Sequence, residues 1–243
     1  PLRDLPLYPL QEIDFRMEYA VPATDITTVE IAGEASRFPV RRIFCVGRNY
    51  VAHIREMGGD ERDPPFYFTN PADAIVPTGG TIDYPPKTSN LHYECELVVA
   101  IGKGGRDIPE SNALDHVYGY AVGLDMTRRD VQGALRDKGR PWDMGKAFDQ
   151  SAPIGMIHPV SQVGHVLKGP IWLKVNGETK QDSVLELMIW NVQETIANLS
   201  GFVTLAPGDL IYTGTPDGVG PVVPGDRMHG HIDGLSDIEI TVR

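Results

Sequence analysis

The chain is poor in several things, and each shortage closes off a class of protein. Cysteine is nearly absent, with Cys45 and Cys95 alone among 243 residues, each inside an apolar segment. A disulfide scaffold is therefore excluded, and two apolar-flanked thiols without basic neighbours read as small core residues in a reducing compartment, the cytoplasm. No apolar run approaches the roughly 20 residues that span a bilayer, so no membrane partner is expected. Basic residues are in deficit, 22 Lys+Arg against 33 Asp+Glu for a net charge of −11. Nucleic-acid binders carry the opposite excess. An anionic small molecule remains compatible, because the field inside a site can oppose the global one. There is no internal repeat, no low-complexity tract and no lysine-bearing phosphate loop.

What the chain has in quantity is punctuation, 26 Gly and 20 Pro. Short strands between such turns, with few helical stretches, indicate an α+β, mainly β architecture. The length suits one large catalytic domain, residues 37–243, with residues 1–36 as an N-terminal extension packed on it. "VRRIFCVGRNY" reads as a strand and glycine turn, and "VAHIREMGG" (51–59) as a brief helix closed by two glycines. The charged, proline-broken "DERDPPFYF" that follows is the kind of loop from which active-site lids are made. "TRRDVQGALRDKG" has helical spacing. "IWLKVNGETKQ" predicts a hairpin on its Asn-Gly turn, and "VLELMIWNVQETIANLSG" (184–201) one long amphipathic helix.

The stretch "LHYECELVVAIGKGG" (91–105) carries a contradiction. From Leu97 to Ile101 it is a buried strand, yet Glu94 and Glu96 stand at its start, two positions apart and so on one face. Like charges at the edge of a core repel and lose hydration. A divalent cation reverses that balance, and oxygen-only ligands favour a hard ion, Mg²⁺ or Mn²⁺. Asp125, ending the apolar strand "GYAVGLD", is a fitting third carboxylate; a solvated strand edge is the alternative.

Three other features carry chemistry. His53 and Glu56, at i and i+3, share a helix face beside the expected lid, and a carboxylate fixes an imidazole as a general base; the competing reading is a surface pair. Lys146, set among Trp142, Met144, Ala147 and Phe148, needs an anionic partner if it is buried. It closes a basic run with Arg128, Arg129, Arg136, Lys138 and Arg140, for which a solvated helix face is the other reading. In "YTGTPDGVGP" (212–221) the glycines permit close backbone approach, and Thr215 offers a hydroxyl and an N–H to a carboxylate; an ordinary tight turn is the alternative. His92, two residues before Glu94, is a candidate to support the site from behind.

Taken in order, "RFPVRRIFCVGRNYVAHIREMG", "NPADAIVP", "HYECELVVAIGKGG", "GYAVGLDMTRRDVQ", "GRPWDMGKAFDQSAPIG", "IWLKVNGE" and "LAPGDLIYTGTPDGVGP" resemble the fumarylacetoacetate hydrolase family, on the side of its members that cleave fumarylpyruvate. The resemblance covers roughly residues 37–243. It implies a mixed β-roll or sandwich with short helices and an active-site lid, a homodimer, and one Mg²⁺ or Mn²⁺ per subunit on Glu94, Glu96 and Asp125. It further implies His53 and Glu56 as a lid dyad, Lys146 as a catalytic cation, and Gln132, Thr215 and Arg129 as substrate contacts. The expected reaction is hydrolysis of the C3–C4 bond of a small anionic 2,4-dioxo acid, with Arg48, Arg128 or Arg129 available for a distal carboxylate. Alternatives on the same scaffold are hydrolysis of another acylpyruvate, oxaloacetate decarboxylation, and the isomerase or decarboxylase step of homoprotocatechuate breakdown.

Overall fold

The computed structural model describes residues 19–50 and 63–243. Its largest element is an eight-stranded mixed sheet. Across it run Phe66–Asn70, Arg42–Gly47, Asp209–Tyr212, Cys95–Ile101, Val117–Leu124, Ala152–Ile154 and Ile75–Pro77, with His158–Pro159 also paired to Val117–Leu124. Pairing is parallel between Asp209–Tyr212 and Arg42–Gly47 and between Ala152–Ile154 and Ile75–Pro77, and otherwise antiparallel.

The Cys95–Ile101 strand lies in the middle and is buried along its whole length, which is why its sequence is an apolar run rather than an alternation. Its two faces serve different cores. Leu97, Val99 and Ile101 pack with Tyr120, Val122 and Leu124 against Ile171, Leu173, Met228, Ile232 and Ile240. These last belong to a five-stranded sheet ordered Glu178–Val184, Pro170–Val175, Arg227–Ile232, Ile238–Val242, Thr81–Ile82. Val98 and Ala100 face the other way, onto Cys45, Ala121, Tyr212, Val29, Ile31 and Phe38. Each such large side chain contributes on the order of 1.5–3 kcal/mol by leaving water. Thr28–Glu30 and Arg37–Pro39 form a small hairpin, so residues on both sides of position 36 enter this second core.

The hairpin expected at Asn-Gly is present: Pro170–Val175 and Glu178–Val184 are joined through Asn176 (φ 51°) and Gly177 (φ 84°), both left-handed as a type I′ turn requires. The helical spacing after Thr127 corresponds to the Arg129–Arg136 helix. The long helix begins later than its apolar pattern suggests. Val184 closes the hairpin strand, Leu185–Leu187 is a 3-10 turn, and the α-helix is Val192–Phe202, started by Asn191, whose side chain accepts from the Glu194 N–H while Glu194 accepts from the Asn191 N–H. Among the described residues no helix is long and apolar enough to cross a membrane. The expected helix over 51–59, most of the lid, and His53 and Glu56 lie outside the described residues.

Candidate active site

Strand register assembles the acidic centre. Glu96 pairs with Gly123 and Cys95 with Leu124, and the Asp125 N–H continues the ladder onto the Glu94 carbonyl (2.9 Å). Alternation then sends Glu94, Glu96 and Asp125 to the same side of the sheet, where their carboxylate oxygens lie within 4.8 Å of one another and all three residues are buried. Gly123 is the gap that permits this, since a Cβ there would meet Val98 Cγ2 at 2.5 Å and the Tyr212 ring at 2.6 Å.

Two cations answer the three carboxylates. Lys146, only 2% exposed, donates to Glu94 Oε2 and to Asp125 Oδ2, each at 2.7 Å. It is delivered by the Asp143–Lys146 turn of helix, with the Phe68 ring 5.1 Å from its ammonium. Arg129, at the head of its helix, pairs with Glu94 Oε1, donates to Gln132 Oε1 at 2.7 Å, and points its Nε at His92 Nδ1 (3.4 Å). Glu96 accepts the Gly214 N–H (2.8 Å) and, among the described residues, has no cation of its own.

The electrostatics follow from that distribution. Burial would raise the Glu94 carboxyl, but Lys146 and Arg129 outweigh it and hold it down at about 2. Burial, then the charges of Asp125 and Glu94, push Glu96 well above the usual carboxylate range. Asp125 is raised from 3.8 to about 6 by burial, with Lys146 opposing. Burial would lower Lys146, yet Asp125 and Glu94 leave it raised and firmly protonated. Burial and Arg129 lower His92 to about 4, so a neutral imidazole accepts from Arg129 and meets Asn90 Oδ1 through Nε2 (2.9 Å). Among the described residues the three carboxylates thus meet two cations, and the all-oxygen donor set fits a hard divalent cation.

Above it opens a cleft of about 220 Å³ lined by Arg48, Phe68, His92, Glu94, Glu96, Arg129, Gln132, Arg136, Trp142, Lys146, Thr215 and Val219, among others. Of the residues singled out from the sequence, the cleft gathers Glu94, Glu96, Lys146, Arg129, Gln132, Thr215 and Arg48, with Asp125 beneath. Arg128 does not line it. Its guanidinium rests 4.4 Å over the Phe148 ring and donates to the Met144 carbonyl at 3.2 Å. Arg48 is different. It lines the cleft and has a left-handed backbone (φ 55°), and its Nε, like that of Arg128, is buried without a hydrogen-bond partner among the described residues. That conformation is held by Asn49, whose amide donates to the carbonyls of Trp190 (2.9 Å) and Thr213 (2.8 Å) and accepts from Trp190 N (2.8 Å). The Thr215 hydroxyl donates to the Cys95 carbonyl (2.8 Å) and accepts from Gln181 Nε2 (2.8 Å), so its proton is already committed.

Sequence reasoning passed over Gln181 and gave Arg136 and Trp142 no individual role. Nothing in the Gln181 neighbourhood marks it except that it follows a hairpin turn by four positions. Arg136 stands one helical turn past Gln132, a spacing that puts both on one face.

The comparisons agree with this geometry. Residues 42–243 match the family model described as fumarylacetoacetate (FAA) hydrolase, C-terminal. A fumarylpyruvate hydrolase from Ralstonia sp. is 54% identical over 177 residues, 73% of this chain and 92% of that protein. The human mitochondrial oxaloacetate tautomerase FAHD1 is 43% identical over 202 residues, 83% of this chain and 91% of that protein. Among solved structures, fumarylpyruvate hydrolase from Pseudomonas aeruginosa in complex with Mn²⁺ and pyruvate superimposes with a TM-score of 0.90 at 55% identity, covering 93% of this chain and 99% of that one. With its acidic centre, its cleft and these relatives in agreement, the chain belongs to the fumarylacetoacetate hydrolase family.

Proposed function

We propose that this protein is a divalent-cation-dependent hydrolase that cleaves the C3–C4 bond of a 2,4-dioxo acid, fumarylpyruvate, to fumarate and pyruvate. The observation that carries the reading is the buried Glu94–Glu96–Asp125 centre with Lys146 inserted in it, at the floor of a cleft with cationic walls. The relatives named above support the substrate class.

Glu94, Glu96 and Asp125 would hold Mg²⁺ or Mn²⁺, which when bound supplies Lewis-acid polarisation of the substrate's keto oxygen. Lys146 has three N–H donors, of which two are engaged by Glu94 and Asp125. The third, without a partner among the described residues, is assigned to the oxygen on which charge develops as C3–C4 breaks. Arg129 is occupied in holding Glu94 and Gln132, and so shapes the pyruvate end rather than carrying the far one. Gln132 and the Thr215 backbone N–H are assigned to the pyruvate carboxylate. For the distal carboxylate Arg48, which lines the cleft, fits better than Arg128, whose guanidinium is turned away onto Phe148. His53, oriented by Glu56, is assigned as the base: it takes a proton from water, the hydroxide oxygen bonds to C4, and the electron pair of the C3–C4 bond goes to the pyruvate fragment, which is then protonated at C3. The family supports a homodimer, and two free buried thiols suit a reducing cytoplasm.

The test is turnover of fumarylpyruvate by purified protein with Mn²⁺, Mg²⁺ or EDTA, with acetylpyruvate and oxaloacetate as comparison substrates. Equimolar fumarate and pyruvate, abolished by chelation, is the expected result, and His53→Ala should lower kcat by about 10²–10⁴-fold. Undiminished turnover after complete chelation, or no fumarate from an active preparation, would refute the assignment.

A further inference from the structure

The strand Glu178–Val184 contributes a single buried residue, Gln181, and that residue is wholly enclosed. A buried amide on an otherwise exposed hairpin strand has to be satisfied by something specific. Here Oε1 accepts the Cys95 N–H at 3.0 Å. Nε2 donates to Thr215 Oγ1 at 2.8 Å and to the Pro216 carbonyl at 2.9 Å, with the Asp217 carbonyl at 3.4 Å.

The position of those partners gives the amide its meaning. Glu94 is the junction where the chain leaves the Leu91–Tyr93 strand of a three-stranded sheet and enters the Cys95–Ile101 strand of the eight-stranded one. On one side of that entry, the neighbouring Asp209–Tyr212 strand pairs only as far as Val98. Beyond it, the Thr213 N–H and hydroxyl reach Leu97 O, the Gly214 N–H reaches Glu96, and the Thr215 hydroxyl reaches Cys95 O. Gln181 completes the series at the Cys95 N–H. The peptide groups on both sides of Cys95, which set where the Glu94 and Glu96 carboxylates stand, are thus both fastened to the loop carrying Thr215, the Cys95–Glu96 peptide by the Thr215 hydroxyl itself and the Glu94–Cys95 peptide through Gln181.

The geometry points to Gln181 as the positioning residue that couples the cation-binding carboxylates to the substrate-binding loop. Its oxygen fixes the Glu94–Cys95 peptide, and its nitrogen fixes residues 215–217. It does not line the cleft and acts through Cys95 and Thr215. The inference rests on the hydrolase reading for its substrate half, while its cation half stands on the carboxylate geometry alone.

Two variants test it, with Mn²⁺ affinity of the metal-free protein measured by calorimetry beside KM and kcat for fumarylpyruvate. Gln181→Met keeps the volume and removes every hydrogen bond. It should weaken Mn²⁺ binding and lower kcat/KM by roughly 10–100-fold each, the usual range for residues one step behind a metal ligand. Gln181→Glu keeps an acceptor for Cys95 but loses the donor toward 215–217. It should raise KM about tenfold or more while Mn²⁺ affinity changes less. Should Gln181→Met not fold, the Glu variant decides alone: wild-type KM in it overturns the inference. A folded Gln181→Met protein with a lowered Tm but wild-type Mn²⁺ affinity and KM would also overturn it, since that is the signature of packing only. A wild-type protein that binds Mn²⁺ yet leaves fumarylpyruvate intact would instead refute the hydrolase reading and leave the Mn²⁺ arm of the test valid.

Discussion

The acidic centre and a histidine–aspartate cluster near the C-terminus solve the same problem in opposite ways. In the acidic centre, among the described residues, three buried carboxylates face two cations, and Glu96 has none to itself. On the Arg227–Ile232 strand, His229 and His231 share the Asp237 carboxylate, at 2.5 and 2.6 Å, and His231 reaches Asp233 at 2.9 Å through its other nitrogen. The Trp172 ring stacks on His231 at 4.8 Å and meets His229 edge-on at 5.1 Å. Burial would raise Asp237, but the two imidazoles lower it, while its acidic neighbours raise His231 against the effect of burial. Each imidazole there has a carboxylate partner, and the cluster is partly exposed. It requires no ligand. The acidic centre does, and the imbalance rather than the mere density of ionisable groups is what separates a site from a structural tie.

The contrast can be broken most forcefully at Lys146. Lys146→Met takes from buried Asp125 its cation and leaves Glu94 with Arg129 alone, and it should cost the metal-free protein about 3–5 kcal/mol of stability, the usual penalty for breaking a buried pair from one side. Thermal unfolding measures it, and Mn²⁺ should restore part of the loss. Glu96→Gln sharpens the comparison from the other side. It relieves repulsion without changing shape, so the metal-free Tm should rise while kcat/KM falls by more than ~100-fold, beyond the range typical of residues behind the ligands. An unchanged kcat/KM would remove Glu96 from the centre.

The pH dependence gives the next effect. Asp125 and Glu96 are raised in the folded protein, so the folded state holds more protons than the unfolded one. Their contribution is then fully present below their unfolded values and is lost as pH rises, between about 4 and 6 for Asp125. Metal-free protein should accordingly melt at a lower temperature at pH 8 than at pH 5, and added Mn²⁺ should raise the Tm more at pH 8. Equal increments at both pH values would contradict the charge imbalance. The smallest effect belongs to the balanced cluster. Asp237→Asn should cost only about 0.2–1 kcal/mol, as partly exposed ion pairs do, with kcat/KM unchanged.

Much of this was legible before any coordinates. The Glu94, Glu96 and Asp125 convergence follows from strand alternation and one register, because period-2 geometry leaves little freedom once two apolar strands pair. Lys146 was legible because a lysine among Trp142, Met144 and Phe148 demands an anion. What stayed hidden depends on contacts between segments far apart in the chain. Gln181 sits 86 positions from Cys95 and 34 from Thr215, and no local pattern distinguishes it from its exposed neighbours. The choice of Arg48 over Arg128 rests on which way two guanidinium groups turn, and that is decided by Trp142, Phe148 and the Asn49 staple. The start of the Val192–Phe202 helix was misjudged because Val184 and Leu185 continue its apolar spacing. The Asn191-x-x-Glu194 capping box was the signal that marked its true beginning.

The most direct test is to strip the purified protein of metal and titrate it with Mn²⁺ by calorimetry, alongside Glu96→Gln. The account predicts one ion per subunit in the wild type and a loss of affinity in the variant. Wild-type protein that takes up no Mn²⁺, or a variant that binds it just as tightly, would contradict it.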